Sequence, residues 1–361
     1  MNKMKLGDIL EIQPKSKIKA GEGITNGKYP FYTCSNELTK SINTADYEGD
    51  ALIMGTGGMA SIHYEKGKFS TSTDCLVYKS NKNVNLSLIN KYLRTNIYLL
   101  ENGFKGAGLR HISRDYISNI TIPLPERNQQ DKIVTELDLI EKTITNHNDV
   151  LKKYDTLIKS RFIEMFGDPV KNSLGWEVRK LKETTDIITG NTPSRKDKEN
   201  YGTFIEWIKT DNITDKTYVT TAAEYLSEKG EMLGRTVEAG SILMACIAGS
   251  LRSIGRVALT DRKVAFNQQI NAIVPKKYNS LFLYVLFQNT QSYAQSTVNM
   301  ALKGILSKGK LEELEYIIPP IELQNNFAAF VQQIDKSKFV VQQSLEKAET
   351  LYKSLMQEYF G

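Results

Sequence analysis

Three cysteines, three histidines and two tryptophans are all that 361 residues contain of these types. Cys34, Cys75 and Cys246 lie far apart and are odd in number, so they point to neither a disulfide framework nor a zinc site. No run of 18 apolar residues occurs and no signal-peptide pattern opens the chain, so a soluble, cytoplasmic protein is expected. The usual catalytic signatures are missing too. No G-x-S-x-G, H-E-x-x-H or C-x-x-C is present, and no G-x-G-x-x-G follows a strand. No Asn-Pro-Pro-aromatic or Asp-Pro-Pro-aromatic tetrapeptide marks an amino-methyltransferase. The stretch GILSKGKL (304–311) fits G-x-x-x-x-G-K, but Leu311 stands where a magnesium-binding hydroxyl is required, and a loop is expected there. Catalysis and metal binding by this chain are therefore not expected, although scattered nuclease carboxylates would leave no such signature.

What the chain does contain is a repeat. A shift of 194 residues pairs Pro125 with Pro319, Gln130 with Gln324, Ile140 with Ile334 and Phe166-Gly167 with Phe360-Gly361. Thirteen of the 43 positions from 125 to 167 are identical without a gap, where chance would give roughly one in fifteen to twenty. Upstream, Ser113 falls on Ser307. Two unrelated amphipathic helices would share apolar spacing, but not Pro, Gln, Lys-Ser and Phe-Gly, so the chain is a duplication.

The repeated segment reads as a long helix. Ile133, Leu137, Ile140, Ile144, Leu151 and Ile158 recur with 4-3 spacing, and the second copy offers Val331, Ile334, Val341, Leu345 and Leu355. This is a coiled-coil seam, with His147 and Lys338 as polar intrusions that set register or lie at a frayed, solvated part of it. Gly167 and Pro169 stop the first helix. About 36 residues would span roughly 54 Å, and the narrow stripe of each helix needs a partner, for which the other copy is nearest.

Between the helices the pattern changes. DALIMGTGG (50–58) and GSILMACIAGS (240–250) each read as a buried strand entering a glycine turn. Stretches 86–104 and 280–296 read as helices in corresponding places. The expected fold is mixed α/β: two pseudo-repeated globules, 1–122 and 170–318, alternating with helical spacers, 123–169 and 319–361, packed as an antiparallel coiled coil. Net charge is +6. Residues 1–129 carry 17 basic and 12 acidic side chains and residues 170–320 carry 20 and 16, whereas both helical segments are slightly acidic. Surplus positive charge on two globules suits two arms gripping a polyanion.

Several stretches are similar to a known family. ITIPLPERNQQDKIVTELDLIEKTI resembles the entry into the central conserved helix of type I restriction-modification specificity subunits. LIKSRFIEMFGDP followed by GWEVRKLKE resembles the exit from it. DIITGNTPSRKDKENYGTFIEWIKTDNI (186–213) and GAGLRHISRDYISNITIPLP (106–125) resemble the start and end of recognition domains. The resemblance spans the whole chain, and the helix junctions are its specific part. It implies a non-catalytic subunit whose two target recognition domains each read half of a gapped double-stranded DNA site. It also implies two methylation subunits using S-adenosylmethionine on adenine, and restriction subunits using ATP and magnesium, as partners. The chain is short for that family and its second helix runs to Phe360-Gly361, which bears on any further terminal segment and on how firmly partners dock. The rival readings are a scaffold joining two modules that do not bind DNA, and a self-sufficient nuclease or methyltransferase.

DNA-contacting residues are expected where basic or amide side chains meet loop signals. In the first globule these are Lys15, Lys17, Lys19, Asn36, Lys105, Arg110 and His111. In the second they are Ser194, Arg195, Lys196, Lys209, Arg252, Arg256, Gln268, Gln269 and Lys303. Arginine reads guanine, asparagine and glutamine read adenine, and lysine meets phosphate.

Overall fold

The computed structural model describes residues 2–298 and 304–361. It divides into two compact units. Unit 1 comprises residues 1–148 and 343–361, and unit 2 comprises residues 149–342. The boundaries drawn from sequence separate globule from helix, whereas the compact units join each globule to the helix ends that cover it.

In unit 1 the buried strand Ala51–Gly55 lies inside an antiparallel four-stranded sheet, ordered Leu10–Ile12, Cys75–Ser80, Ala51–Gly55, Ile62–Glu65. All five of its residues are buried, as an uninterrupted apolar run in a central strand requires. A second sheet is ordered Ser41–Ile42, Tyr29–Tyr32, Lys68–Thr71, Tyr47–Glu48, and its central pair is parallel. Unit 2 repeats both orders. Its first sheet runs Thr185–Thr189, Ile270–Pro275, Ile242–Ala245, Val257–Leu259. Its second runs Tyr225–Leu226, Tyr201–Ile208, Val264–Phe266, Thr236–Val237, again with a parallel central pair. The duplication therefore extends through globules whose sequences have drifted apart.

The helices expected at 86–104 and 280–296 are each broken in two, Leu86–Thr95 with Tyr98–Glu101 and Ser280–Asn289 with Gln291–Ser296. The stretch GILSKGKL is not a loop. Gly304–Ile305 is a short strand and Lys308–Glu313 a short helix, because the Ser307 hydroxyl accepts from the Lys310 amide and caps it.

The long helices are Arg127–Phe166 and Ile321–Phe360, 40 residues each and related end to end by the same 194-residue shift. They are about 60 Å long, one turn more than the apolar pattern alone gives. Each stops on a glycine with positive φ, Gly167 at 72° and Gly361 at 81°, whose amide closes a bond to Ile163 or Gln357.

Each start is locked by a buried glutamine. In unit 1, Gln130 donates to the Pro125 carbonyl (2.9 Å) and accepts from the Asn85 amide (2.8 Å). In unit 2, Gln324 donates to the Pro319 carbonyl (2.8 Å) and accepts from the Asn279 amide (2.9 Å). Asn85 and Asn279 in turn cap the helices Leu86–Thr95 and Ser280–Asn289. The repeated Pro and Gln are thus one latch, tying a long helix to its globule.

The two long helices pack together. Within unit 1, Ile133, Val134 and Leu137 near the start of the first meet Tyr352, Leu355, Met356 and Tyr359 near the end of the second, over Leu88. Lys91, 4% exposed, reaches Asp138 (2.7 Å) and Glu141, and Tyr352 donates to Glu141 (2.8 Å). Within unit 2, Ile158, Phe162 and Phe166 share a core with Phe282, Phe327, Val331 and Ile334. Of the seam residues read from sequence, Ile133, Leu137, Ile158, Val331, Ile334 and Leu345 are buried. Ile140, Ile144, Leu151, Val341 and Leu355 are half-buried. The intruding Lys338 pairs with Asp155 at 2.7 Å. The last turn of the first helix departs from 4-3 spacing. Phe162 and Phe166 take the buried positions because Phe282 and Phe327 stack on that face, with ring centroids 4.9 to 5.6 Å apart.

Candidate nucleic-acid interface

In unit 2 the site grows from the strand Tyr201–Ile208. Its alternation buries Ile205 and Trp207. The Trp207 indole donates to the Asn191 carbonyl (3.2 Å), and the Tyr201 hydroxyl to the Pro193 carbonyl (2.7 Å). The Asn200 side chain donates to the Ser194 carbonyl (3.0 Å). These bonds pin the Thr-Pro-Ser loop to the strand. Gly190 opens that loop against the Asn267 carbonyl so closely that a Cβ would lie 2.2 Å from its oxygen.

Arg195 leaves the pinned loop and lies over two aromatic faces, 5.0 Å from the Tyr201 centroid and 5.2 Å from that of Trp207. Lys209 approaches Trp207 from its own strand end, also at 5.2 Å. Both cations meet Glu224, which accepts from the Arg195 guanidinium at 2.7 Å and from Lys209. The Lys209 hydrogen bond, then that of Arg195, holds the Glu224 carboxyl below the usual range. The Arg195 side chain is nevertheless 55% exposed. One guanidinium nitrogen is thus held by Glu224, and the group lies over two ring faces, while much of the side chain stays open to solvent.

The other expected residues of unit 2 scatter around this centre. Ser194 and Lys196 are exposed on the same loop. Gln268 accepts from the Thr192 hydroxyl, and Gln269 is held by Asn267 at 3.2 Å. Arg252 and Arg256 border a separate cleft of about 490 Å³ with Asp155, Tyr284, Asp335 and Lys338. Arg256 bonds Asp215 there at 3.1 Å. Burial, with Asp155 adding to it, raises the Asp335 carboxyl. Lys303 lies outside the described residues.

In unit 1, Lys105, Arg110 and His111 come together. Lys105 and His111 exchange backbone bonds of 3.0 Å, and the Gly58 amide donates to the Arg110 carbonyl at 3.0 Å. The His111 ring meets the Thr56 carbonyl at 3.2 Å. Asn36 is exposed on another loop, next to Ser35, whose carbonyl meets the His63 ring at 2.8 Å. Lys15, Lys17 and Lys19 are exposed on a third segment, and the first two border a cleft of about 490 Å³ with Asp46 and Glu48.

Several neighbours escaped the sequence reading. Glu224, Tyr201 and Trp207 complete the Arg195 cluster, and the IEWIKT stretch was the available signal. Cys34 and Cys75 meet beside the Thr56 loop. The neighbouring Cys75 thiol draws the Cys34 thiol below its ordinary range, against the opposing effect of its burial, and Cys34 itself donates to the Asp74 carbonyl at 3.1 Å. Among the described residues, no three His, Cys, Asp or Glu side chains gather as a metal site, and no helix is long and apolar enough to cross a membrane.

Comparison with known proteins places this architecture. A profile described as the type I restriction modification DNA specificity domain matches residues 1–153 and again 173–350. The HindI type I restriction enzyme specificity subunit of Haemophilus influenzae is 33% identical over 138 residues, covering 37% of this chain and 28% of that protein. The MjaVIII type I restriction enzyme specificity subunit of Methanocaldococcus jannaschii is 25% identical over 339 residues, covering 86% of this chain and 77% of that protein. A solved type I restriction-modification S subunit from M. genitalium shares the fold with a TM-score of 0.71 at 12% identity, covering 100% of this chain and 96% of that one. With both of its halves matched by that profile, the chain belongs to the type I restriction modification DNA specificity domain family.

Proposed function

We propose that this chain is the DNA-reading subunit of a type I restriction-modification system. The globules 1–122 and 170–318 act as target recognition domains, each reading one half of a gapped duplex site. The helical segments 123–169 and 319–361, coiled around each other, hold the two readers at a set spacing and dock two methylation subunits. Where the host encodes restriction subunits, these join the same complex. The chain performs no chemistry itself. S-adenosylmethionine belongs to the methylation subunits, and ATP with magnesium to the restriction subunits.

The observation that carries this reading is the repetition of one sheet topology, one helix and one glutamine latch in both halves. Two like units, each with surplus positive charge and arginine-bearing loops, suit one polyanion read at two places. Lysines meet phosphates and provide salt-dependent affinity, while Arg195 and Arg110 face base edges. The test is methylation-sensitive sequencing of host DNA with and without the gene, or of DNA methylated by the chain reconstituted with a methylation subunit. A two-part gapped adenine motif that vanishes with the gene is the expected result. A reconstituted, active methylation complex that modifies DNA without a two-part motif would overturn the reading.

A further inference from the structure

The two most exposed large apolar side chains of unit 1 among the described residues stand together. Leu109 is 78% exposed and Met59 is 72% exposed. Their loops are stitched by the Gly58 amide bond to the Arg110 carbonyl, and each residue stands one position from that bond. Further bonds join the Ile112 amide to the Thr56 carbonyl and pair His111 with Lys105. A single exposed Leu or Met needs no explanation. Two of them, on loops fastened to each other and aimed at solvent, do.

The surroundings indicate the occupant. From residue 102 to residue 114 the chain carries Lys105, Arg110, His111 and Arg114 and no acid, and from 51 to 64 it carries no acid. Glycines open the approach: a Cβ at Gly58 or Gly108 would meet nothing within 4 Å. An apolar tip on two loops whose own charged side chains are all cationic is complementary to a nucleic acid, whose rim is phosphate and whose interior is stacked base. Unit 2 carries exposed apolar residues near a comparable strand pair. The strands Ile247–Ala248 and Gly304–Ile305 pair, Ile305 is exposed, and exposed Leu251 follows the first strand with Arg252 next to it in sequence.

We propose that Leu109 and Met59 form a wedge that enters a base step of the half-site bound by unit 1. This rests on the DNA-reading role proposed above and deepens it. Lys105 and Arg110 hold the backbone on either side while the apolar pair takes the place of a stacked neighbour. Unstacking is easiest at pyrimidine–purine steps, so the wedge selects sequence at a position where no hydrogen bond reads a base.

The test uses the full chain assembled with a methylation subunit, and duplexes of its own motif with 2-aminopurine at successive positions. Apart from the adenine that a methylation subunit flips out to modify, the expected result is a rise in fluorescence confined to one step of the unit 1 half-site. A Leu109→Ala/Met59→Ala variant should lose that rise and bind the motif at least tenfold more weakly, since loss of one buried apolar side chain alone implies about tenfold. Both side chains are exposed, so the variant keeps its core. Leu109→Lys should strengthen binding to unrelated DNA while weakening the motif. A bound motif with no localised rise, or a double variant that keeps the rise, would overturn the wedge alone. Loss of assembly with the methylation subunit by the double variant would reassign the tip to protein docking. A complex that prefers no duplex would overturn the reading role and the wedge with it.

Discussion

Replacing Gln324 with leucine keeps the side-chain volume and removes both hydrogen bonds of the unit 2 latch. The Pro319 carbonyl, itself in a buried residue, loses its donor at 2.8 Å, and the half-buried Asn279 amide loses its acceptor at 2.9 Å. An orphaned buried polar group costs about 1–3 kcal/mol. Because Asn279 retains some access to water, the sum is about 2–4 kcal/mol. That cost falls on local opening of the Ser280–Asn289 helix, which Asn279 caps. Amide hydrogen exchange reads it directly: the helix amides should exchange about 30 to 1,000 times faster, at about 1.4 kcal/mol per tenfold. Exchange in the Leu86–Thr95 helix of unit 1 should stay unchanged, and Gln130→Leu should reverse the pattern. Gln324→Glu provides a control. Its carboxylate cannot donate to Pro319 and adds a buried charge, so it should be worse than leucine at neutral pH and recover as acid restores a donor proton. Exchange within twofold of the parent in both leucine variants would refute the latch.

Other outcomes follow from the same geometry. Arg195→Ala should cost about 1–3 kcal/mol and relax one position of the unit 2 half-motif, whereas Lys196→Ala, at an exposed lysine of the same loop, should weaken binding to all sequences and leave the motif intact. Methylome sequencing distinguishes the two. Iodoacetamide should modify Cys34 with a rate whose pH midpoint lies below the ordinary thiol range, because the neighbouring Cys75 thiol favours the Cys34 thiolate. A midpoint near the ordinary thiol value of 9.0 would contradict that contact. Asp335 titrates in the opposite sense. Burial raises its folded pKa, so stability is lost as pH rises from the ordinary carboxyl range through the raised value. Asp335→Asn should raise the unfolding temperature at pH 8, with a benefit that shrinks in acid. Inserting one whole turn at matched places in both long helices should lengthen the unread gap and leave both half-motifs alone, and an unchanged gap would refute the spacer role.

The duplication and the long helices were legible because their signals are local and periodic. The latch was half legible: Pro125 and Gln130 stood out as repeated residues, but their partner Asn85 lies 45 positions from Gln130. Sheet order was not legible. Pairing Phe31 with Ser70 in parallel joins segments with no shared pattern. The seam misled at its end, since Phe162 and Phe166 answer to Phe282 and Phe327 rather than to a heptad. Arg195 was found from its loop. Glu224, 29 positions away, became visible only when the fold brought it beneath the guanidinium.

The equal bounds of the two long helices have a genetic consequence. A crossover between the two repeats at a matched position joins helices of equal length and phase, because their bounds lie 194 residues apart at both ends. Helix length, glycine stop and Pro–Gln spacing are common to both copies, so such a product keeps all three in phase. Strains carrying different globules between identical junctions could therefore trade readers whole and acquire a new composite target in one event, with the frame that holds the readers left untouched.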